Sequence, residues 1–240
     1  MTVEPAVQAA ASKRLQFEGV SRTGTTRLVA AVDTLVIAGW TGRDPAAVEA
    51  HMAELEKIGI ARPKSAPIFY RVAASLLTIG TEIQVAGNDS SGEVEPILLS
   101  LTDGLWLGVG SDHTDRKLET VGITISKQLC AKPVSQQVWR FDEVAGHWDA
   151  ILVRSFALKD GKRRLYQEGP LAKMRHPDEL TARYFGDKRT LPPGTAMFCG
   201  TLAVHGAIEP ADSYELEIED PVLKRRIVHR YLVRTLPVEG

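Results

Sequence analysis

Cysteine is almost missing from this chain. Cys130 and Cys199 are the whole complement in 240 residues, too few and too far apart in sequence for a thiolate ligand cluster. Their lipophilic neighbours read as core packing, and so sparse a use of cysteine suits a reduced, cytoplasmic protein. Long hydrophobic runs are missing too. No stretch of about 18 apolar residues occurs, and the opening Met1-Thr2-Val3-Glu4-Pro5 has neither a basic n-region nor an apolar h-region, so membrane insertion and secretion are both unexpected. Nor is there an excess of one charge: 29 basic against 30 acidic residues leave a net charge of -1, which gives no global attraction to nucleic acid or to an anionic membrane. The basic runs Lys162-Arg163-Arg164 and Lys224-Arg225-Arg226 are short and fall where strand edges or hairpin turns are expected. With 44% hydrophobic and 25% charged residues, the chain has the balance of a single soluble domain with a sizeable core.

Short strands dominate the pattern. Leu15 to Val20 and Thr26 to Ile37 flank a turn at Arg22-Thr23-Gly24, while the alanine-rich stretch Ala6 to Ser12 is expected to fray. The first helix is announced by Asp44 as N-cap and Pro45 at the first helical position, and Gly59 is its expected end. Val48, Met52 and Leu55 form its apolar stripe, with His51 at the border and Glu54 three residues on, within side-chain reach of it. Pro67 to Val72 reads as extended, and Val121 to Ile125 leads into a loop, Ser126 to Cys130. A helix is expected over Phe141 to Trp148 and another from Pro177 through Tyr184. Ala150 to Leu158 and Arg164 to Glu168 form a hairpin around Lys159-Asp160-Gly161. Tyr214, Leu216 and Ile218 alternate with Glu215, Glu217 and Glu219 as a half-buried strand, and Asp220-Pro221 turns the chain into Ile227 to Arg234. Many short strands and few helices describe an α+β, mainly β domain.

Three acidic residues carry the chemistry. In a strand over Ser91 to Leu99, Glu93 and Glu95 are two apart and project from the same face. Adjacent carboxylates either share a proton or hold a cation between them. Thr102-Asp103-Gly104 is a hairpin turn that folds Leu105 to Gly110 back alongside the first strand, so Asp112 returns to the same end. An all-oxygen trio suits a hard dication, Mg²⁺ or Mn²⁺, with positions left open for water and a chelating substrate. Taken alone, an E-x-E strand is more often a pair of solvent-facing glutamates beside a turn.

The order of motifs decides between the two. His51 to Glu54, Pro67 to Arg71, Glu93 to Glu95, Asp112 to Arg116, Lys127, and Pro193-Gly194-Thr195 through Gly200-Thr201 follow one another as H-x-x-E, P-x-x-F, E-x-E, N-D-x-x-x-R, a lysine loop and P-G-D-x-x-x-x-G-T do in the fumarylacetoacetate hydrolase superfamily, which this chain resembles as a divergent bacterial branch. The resemblance implies the family's mixed β-sandwich roll with a few short helices. It divides the chain into an N-terminal segment, 1–35, whose short strands pack on the main domain, and a catalytic domain, 36–236. It also implies a homodimer and Mg²⁺ or Mn²⁺ held by Glu93, Glu95 and Asp112. By the same resemblance His51, oriented by Glu54, is a water-activating base. Lys127 would pair with a developing oxyanion or the substrate carboxylate, and Thr201, Tyr70 and Arg71 would line the substrate, while Arg116 would either anchor an acid group bidentately or pair with Asp112 or Asp115. Three departures mark a rebuilt substrate end: Ser111 and His113 flank Asp112, Pro96 follows Glu95, and Tyr70-Arg71-Val72 replaces the usual lysine-proline step.

The activity so implied is metal-dependent hydrolysis of a C–C bond in a 2-oxo or 1,3-dicarbonyl acid, acylpyruvate-like, through a metal-stabilised enolate. A decarboxylase, a keto-enol isomerase or a sugar-acid dehydratase would need the same stabilisation. A non-catalytic binding module would keep the acidic cluster without an open coordination position. The partner in either catalytic reading is a small carboxylic acid.

Overall fold

The computed structural model describes residues 13–57, 62–186 and 190–239, less the side chains of Lys13, His51, Glu54 and Leu55. The expected fraying of Ala6 to Ser12 and the expected helix stop at Gly59 lie outside the described residues. In chain order the strands are β1 (Lys13–Ser21), β2 (Gly24–Val32), β3 (Thr34–Gly39), β4 (Ile68–Val72), β5 (Leu77–Thr78), β6 (Glu82–Ala86), β7 (Ser90–Ser91), β8 (Val94–Leu101) and β9 (Gly104–Ser111). They continue as β10 (Thr114–Asp115), β11 (Lys132–Pro133), β12 (Gln137–Arg140), β13 (Leu152–Lys159), β14 (Lys162–Pro170), β15 (Thr195–Phe198), β16 (Ser213–Asp220) and β17 (Arg225–Leu236). The α-helices are α1 (Pro45–Lys57), α2 (Ile123–Gln128) and α3 (Pro177–Phe185). None of these helices is long and apolar enough to cross a membrane.

Two sheets account for the architecture. An eight-stranded sheet runs β2-β1-β12-β9-β8-β15-β3-β4, and a five-stranded sheet runs β14-β13-β16-β17-β6. The second packs on the β8–β9 hairpin at the centre of the first. β8 is therefore buried on both faces, and its alternation serves two cores at once. Val94 and Leu98 join Leu107, Val109, Met197, Val153, Leu216 and Ile218 between the sheets. Ile97 and Leu99 face the other way, into a cluster with Phe17, Leu35, Tyr70 and Phe198. Glu93 and Glu95 continue that second face by their two-residue spacing.

Several local expectations hold. Asp44 caps α1, its Oδ1 accepting from Ala46 N at 2.9 Å, with Pro45 as the first helical residue. The turn between β13 and β14 takes positive φ at Asp160 and Gly161, which fits a right-twisted two-residue hairpin. Three expectations are corrected. Thr26 to Ile37 is two strands, because Asp33 N and Thr34 N both donate to Gly194 O (3.0 and 3.2 Å); β3 then pairs with β15 and β4 rather than extending β2. Phe141 to Trp148 is no α-helix but two short 3₁₀ stretches, Phe141–Glu143 and Ala145–Ala150, with the helical path broken at His147 (φ −132°, ψ 27°) beside a poor helix former, Gly146. The loop expected over Ser126 to Cys130 is largely α2, a helix whose polar Ser126 and Lys127 are buried while Val121, Ile125 and Leu129 are exposed. Hydrophobic periodicity points the wrong way in such a helix, which is why it escaped the sequence reading.

Candidate metal centre

The β8–β9 hairpin builds the centre. Its register pairs Leu101 with Gly104 at the turn and Val94 with Ser111 at the far end. Beyond that last pair the ladder is extended by Asp112 N donating to Glu93 O at 3.0 Å, while Glu93 N donates to the Ser111 hydroxyl at 3.1 Å. Antiparallel pairing thus sets Asp112 directly beside Glu93. Carboxylate oxygens of Glu93, Glu95 and Asp112 lie within 4.8 Å of one another. Glu95 and Asp112 are buried, and Glu93 is half-buried.

Burial divides the roles of the three acids. The Glu95 carboxyl is pushed well above the ordinary carboxylate range, by burial first and then by the negative charges of Asp112 and Glu93. Its carboxylate accepts a hydrogen bond from Gly200 N at 2.7 Å. Gly200 has φ +106°, and a Cβ there would lie 1.7 Å from Thr41 Oγ1, so only glycine delivers that N–H. Burial would raise Asp112 as well, but the Lys127 and Lys132 ammoniums beside it hold it below its usual value.

The two lysines differ in kind. Lys132 is wholly buried, and its ammonium donates to the carbonyls of His113 (2.7 Å), Lys127 (2.5 Å) and Cys130 (3.0 Å). Three donors are thereby used. Asp112 Oδ1, 3.2 Å from Lys132 Nζ, gains the charge but no hydrogen bond, and it is a buried oxygen without a hydrogen-bond partner. Lys127 donates to Asp112 Oδ2, lies 3.6 Å from Glu93 Oε2 and stands over the Tyr70 ring at 5.7 Å. Burial alone would lower its pKa, but Asp112 and Glu93 raise it, so it is a permanent cation.

Arg116 closes the rim. Its Nη1 meets Glu93 Oε1 at 3.1 Å and Glu119 Oε1 at 3.1 Å, and its Nε donates to Ser91 Oγ at 2.6 Å. Behind the hairpin, the Tyr231 hydroxyl donates to Ser111 Oγ (2.9 Å) and lies 3.0 Å from His113 Nδ1, while His113 Nε2 meets Ser90 Oγ at 2.9 Å. With Tyr231 already donating forward, His113 carries its proton on Nδ1 and accepts at Nε2. Burial lowers its pKa to about 3, so the imidazole is a neutral brace.

The residues singled out from sequence are unevenly gathered. Glu93, Glu95, Asp112, Lys127, Arg116 and Tyr70 meet at one place. Thr201 is close, but its hydroxyl donates to Val94 O (2.8 Å) and accepts from Gln167 Nε2 (2.8 Å), so donation to a ligand would break the first of these bonds. Arg71 is exposed and points to the Tyr184 hydroxyl at 3.4 Å, away from the acidic trio. His51 and Glu54 lie on α1, with side chains outside the described residues. Lys132 and Glu119 were missed. Lys132 had a faint signal, a lysine set among Leu129, Cys130 and Ala131; Glu119 had none.

The centre fits a hard cation by its donors. Three carboxylates converge, one of them bears an unpartnered buried oxygen, and all supply oxygen rather than nitrogen or sulfur. The family described as "Protein of unknown function (DUF2848)" matches residues 38–231. No curated protein matches the sequence. Among solved structures, a fumarylpyruvate hydrolase from Pseudomonas aeruginosa in complex with Mn²⁺ and pyruvate is similar at 16% identity, over 98% of this chain and 100% of its own, with a TM-score of 0.60. A 2-keto-3-deoxy-D-arabinonate dehydratase complexed with magnesium and 2,5-dioxopentanoate is 15% identical over 88% of this chain and 77% of its own, TM-score 0.60. A yeast fumarylacetoacetate hydrolase family protein is 18% identical over 88% and 96%, TM-score 0.61. At these identities the likeness is one of fold: the chain has the fumarylacetoacetate hydrolase fold.

Proposed function

Because the chain belongs to the family described as "Protein of unknown function (DUF2848)", a description that assigns no reaction, we propose its activity from the site itself: divalent-metal-dependent hydrolysis of a C–C bond in a 2-oxo or 1,3-dicarbonyl acid of the acylpyruvate type. The observation that carries this reading is the buried convergence of Glu93, Glu95 and Asp112 within 4.8 Å. Mg²⁺ or Mn²⁺ would be held by these three and, when bound, would polarise the paired oxygens of such an acid and favour developing enolate charge. The Mn²⁺ and magnesium of the Pseudomonas hydrolase and of the dehydratase on the same fold support that choice of ion.

The other roles follow from position and chemistry. His51, oriented by Glu54, takes the proton of the attacking water. Lys127 and Arg116 place positive charge at the rim, where the substrate's carboxylate and developing oxyanion would lie. Tyr70 flanks that end, with Arg71 further out beside Tyr184, and Thr201 offers its hydroxyl once released from Val94 O. We place catalysis in residues 36–236, with the N-terminal segment, 1–35, joined to them through its strands β1 and β2, and the protein in the cytoplasm as a homodimer acting on a small carboxylic acid, with neither nucleic acid nor membrane as partner. Thermal melting with Mn²⁺ and oxalate, an analogue of a chelated enolate, tests the reading. Oxalate should raise Tm only when Mn²⁺ is present, and acylpyruvates should be cleaved with Mg²⁺. Melting that ignores Mn²⁺, with or without oxalate, would overturn it.

A further inference from the structure

Lys127 stands in the wrong place for an onlooker. Its ammonium touches Asp112 and lies 3.6 Å from Glu93, two of the three carboxylates that converge within 4.8 Å. The ammonium thus stands against the same carboxylates that a dication would need as ligands. Four acids, Glu93, Glu95, Asp112 and Glu119, gather here with the cations Arg116, Lys127 and Lys132. Lys127 is the one of the three cations free to move. Lys132 has every N–H on a main-chain carbonyl, and Arg116 is held at once by Ser91, Glu93 and Glu119. Lys127 has one hydrogen-bonded carboxylate at the end of a flexible stem.

It also has somewhere to go. α2, which carries Lys127, packs against β4 and against the 3₁₀ turn Leu118–Thr120. Those two elements present the Tyr70 ring, already 5.7 Å from Nζ, and the Glu119 carboxylate, half-buried beside Arg116. Rotation of the stem to that side would exchange Asp112 for Glu119, a carboxylate whose charge Lys127 already feels, with the Tyr70 ring beside it.

We propose that Lys127 is an internal counter-cation: it holds the metal-free centre together and yields its place to an entering dication, withdrawing toward Glu119 and Tyr70. The inference rests on the metal reading above and adds that this chain tunes its own metal affinity downward. Two like charges cannot share the trio, so the metal must displace the ammonium and binds more weakly for it.

The test is Mn²⁺ affinity by calorimetry in the absence of substrate, comparing the wild type with Lys127→Met, whose side chain has similar length and no charge. The variant should bind Mn²⁺ more tightly by about tenfold or more. Its metal-free form should melt lower than the wild type, and its Mn²⁺-loaded form close to the loaded wild type. Unchanged or weaker affinity in Lys127→Met would overturn the inference while leaving the metal reading intact. Absence of Mn²⁺ binding in both proteins would remove the metal reading and this inference with it. Should Lys127→Met fail to fold without metal, recovery of native circular dichroism on adding Mn²⁺ would uphold the inference, and failure to recover would overturn it. Lys132→Met is the comparator, since its carbonyl contacts cannot be replaced by an ion in the trio. Equal rescue of both variants by Mn²⁺ would count against a special role for Lys127.

Discussion

Lys132 and Asp112 share charge without sharing a hydrogen bond. Nζ lies 3.2 Å from Oδ1 with both side chains wholly buried, yet the ammonium's three N–H groups go to the carbonyls of His113, Lys127 and Cys130. The pair therefore fixes the backbone on two sides of the centre and leaves one Asp112 oxygen open. A lysine held this way is structural first.

Lys132→Met should accordingly cost about 3–5 kcal/mol of stability, since it removes one of two cations beside a buried carboxylate and leaves three carbonyls without this donor. Urea denaturation measures it. A loss under 1 kcal/mol, within the range of an exposed ion pair, would show that the ammonium is not needed where it lies.

Glu95→Gln separates metal binding from folding. The side chain keeps its shape and an acceptor for Gly200 N, while a buried acid crowded by Asp112 and Glu93 disappears. The metal-free protein should be more stable than the wild type at neutral pH, and the Mn²⁺-induced rise in Tm should vanish. A rise in Tm that survives the substitution would remove Glu95 from the ligand set.

Gly200→Ala tests the geometry from the other side. An added Cβ would meet Thr41 Oγ1 at 1.7 Å at a φ of +106°, so the backbone must shift and take the N–H away from Glu95. Chemical denaturation should register a loss of about 1–3 kcal/mol or more, accompanied by weaker Mn²⁺ binding. Wild-type stability in the variant would mean that Gly200 is not constrained as described.

Away from the centre, His229 gives a pH signature. Burial lowers its pKa to about 4, below the unfolded value near 6.5. Between these two values the unfolded chain binds the proton and the folded one does not, so stability falls as pH falls, by at most about 1.4 kcal/mol per pH unit from this group. His229→Phe should lose less stability than the wild type between pH 7 and pH 5 in matched urea titrations. Equal losses would place the sensitivity elsewhere.

Much of the centre was legible in the chain because its geometry is local. Glu93 and Glu95 share a face by the two-residue period of a strand, and the turn at Thr102-Asp103-Gly104 returns Asp112 to them. The chain pattern also marked the β-rich class, the Asp44 cap and the final hairpin. It failed at Lys127, read as belonging to a loop, because α2 buries its polar residues and exposes its apolar ones. It failed at Lys132 and Glu119 because a lone charged residue carries no periodic signal.

What the sequence determined by itself was which three carboxylates converge and in what order, since strand alternation and a tight turn are set by neighbours along the chain. Tertiary structure decided the charge state and company of those carboxylates. Which carboxyl is pushed up, which is held down, and which cation sits among them depend on burial between the sheets and on residues brought from β4, α2, β11 and the Gly200 turn. Those are distances through space, and electrostatic energy follows them rather than separation along the chain.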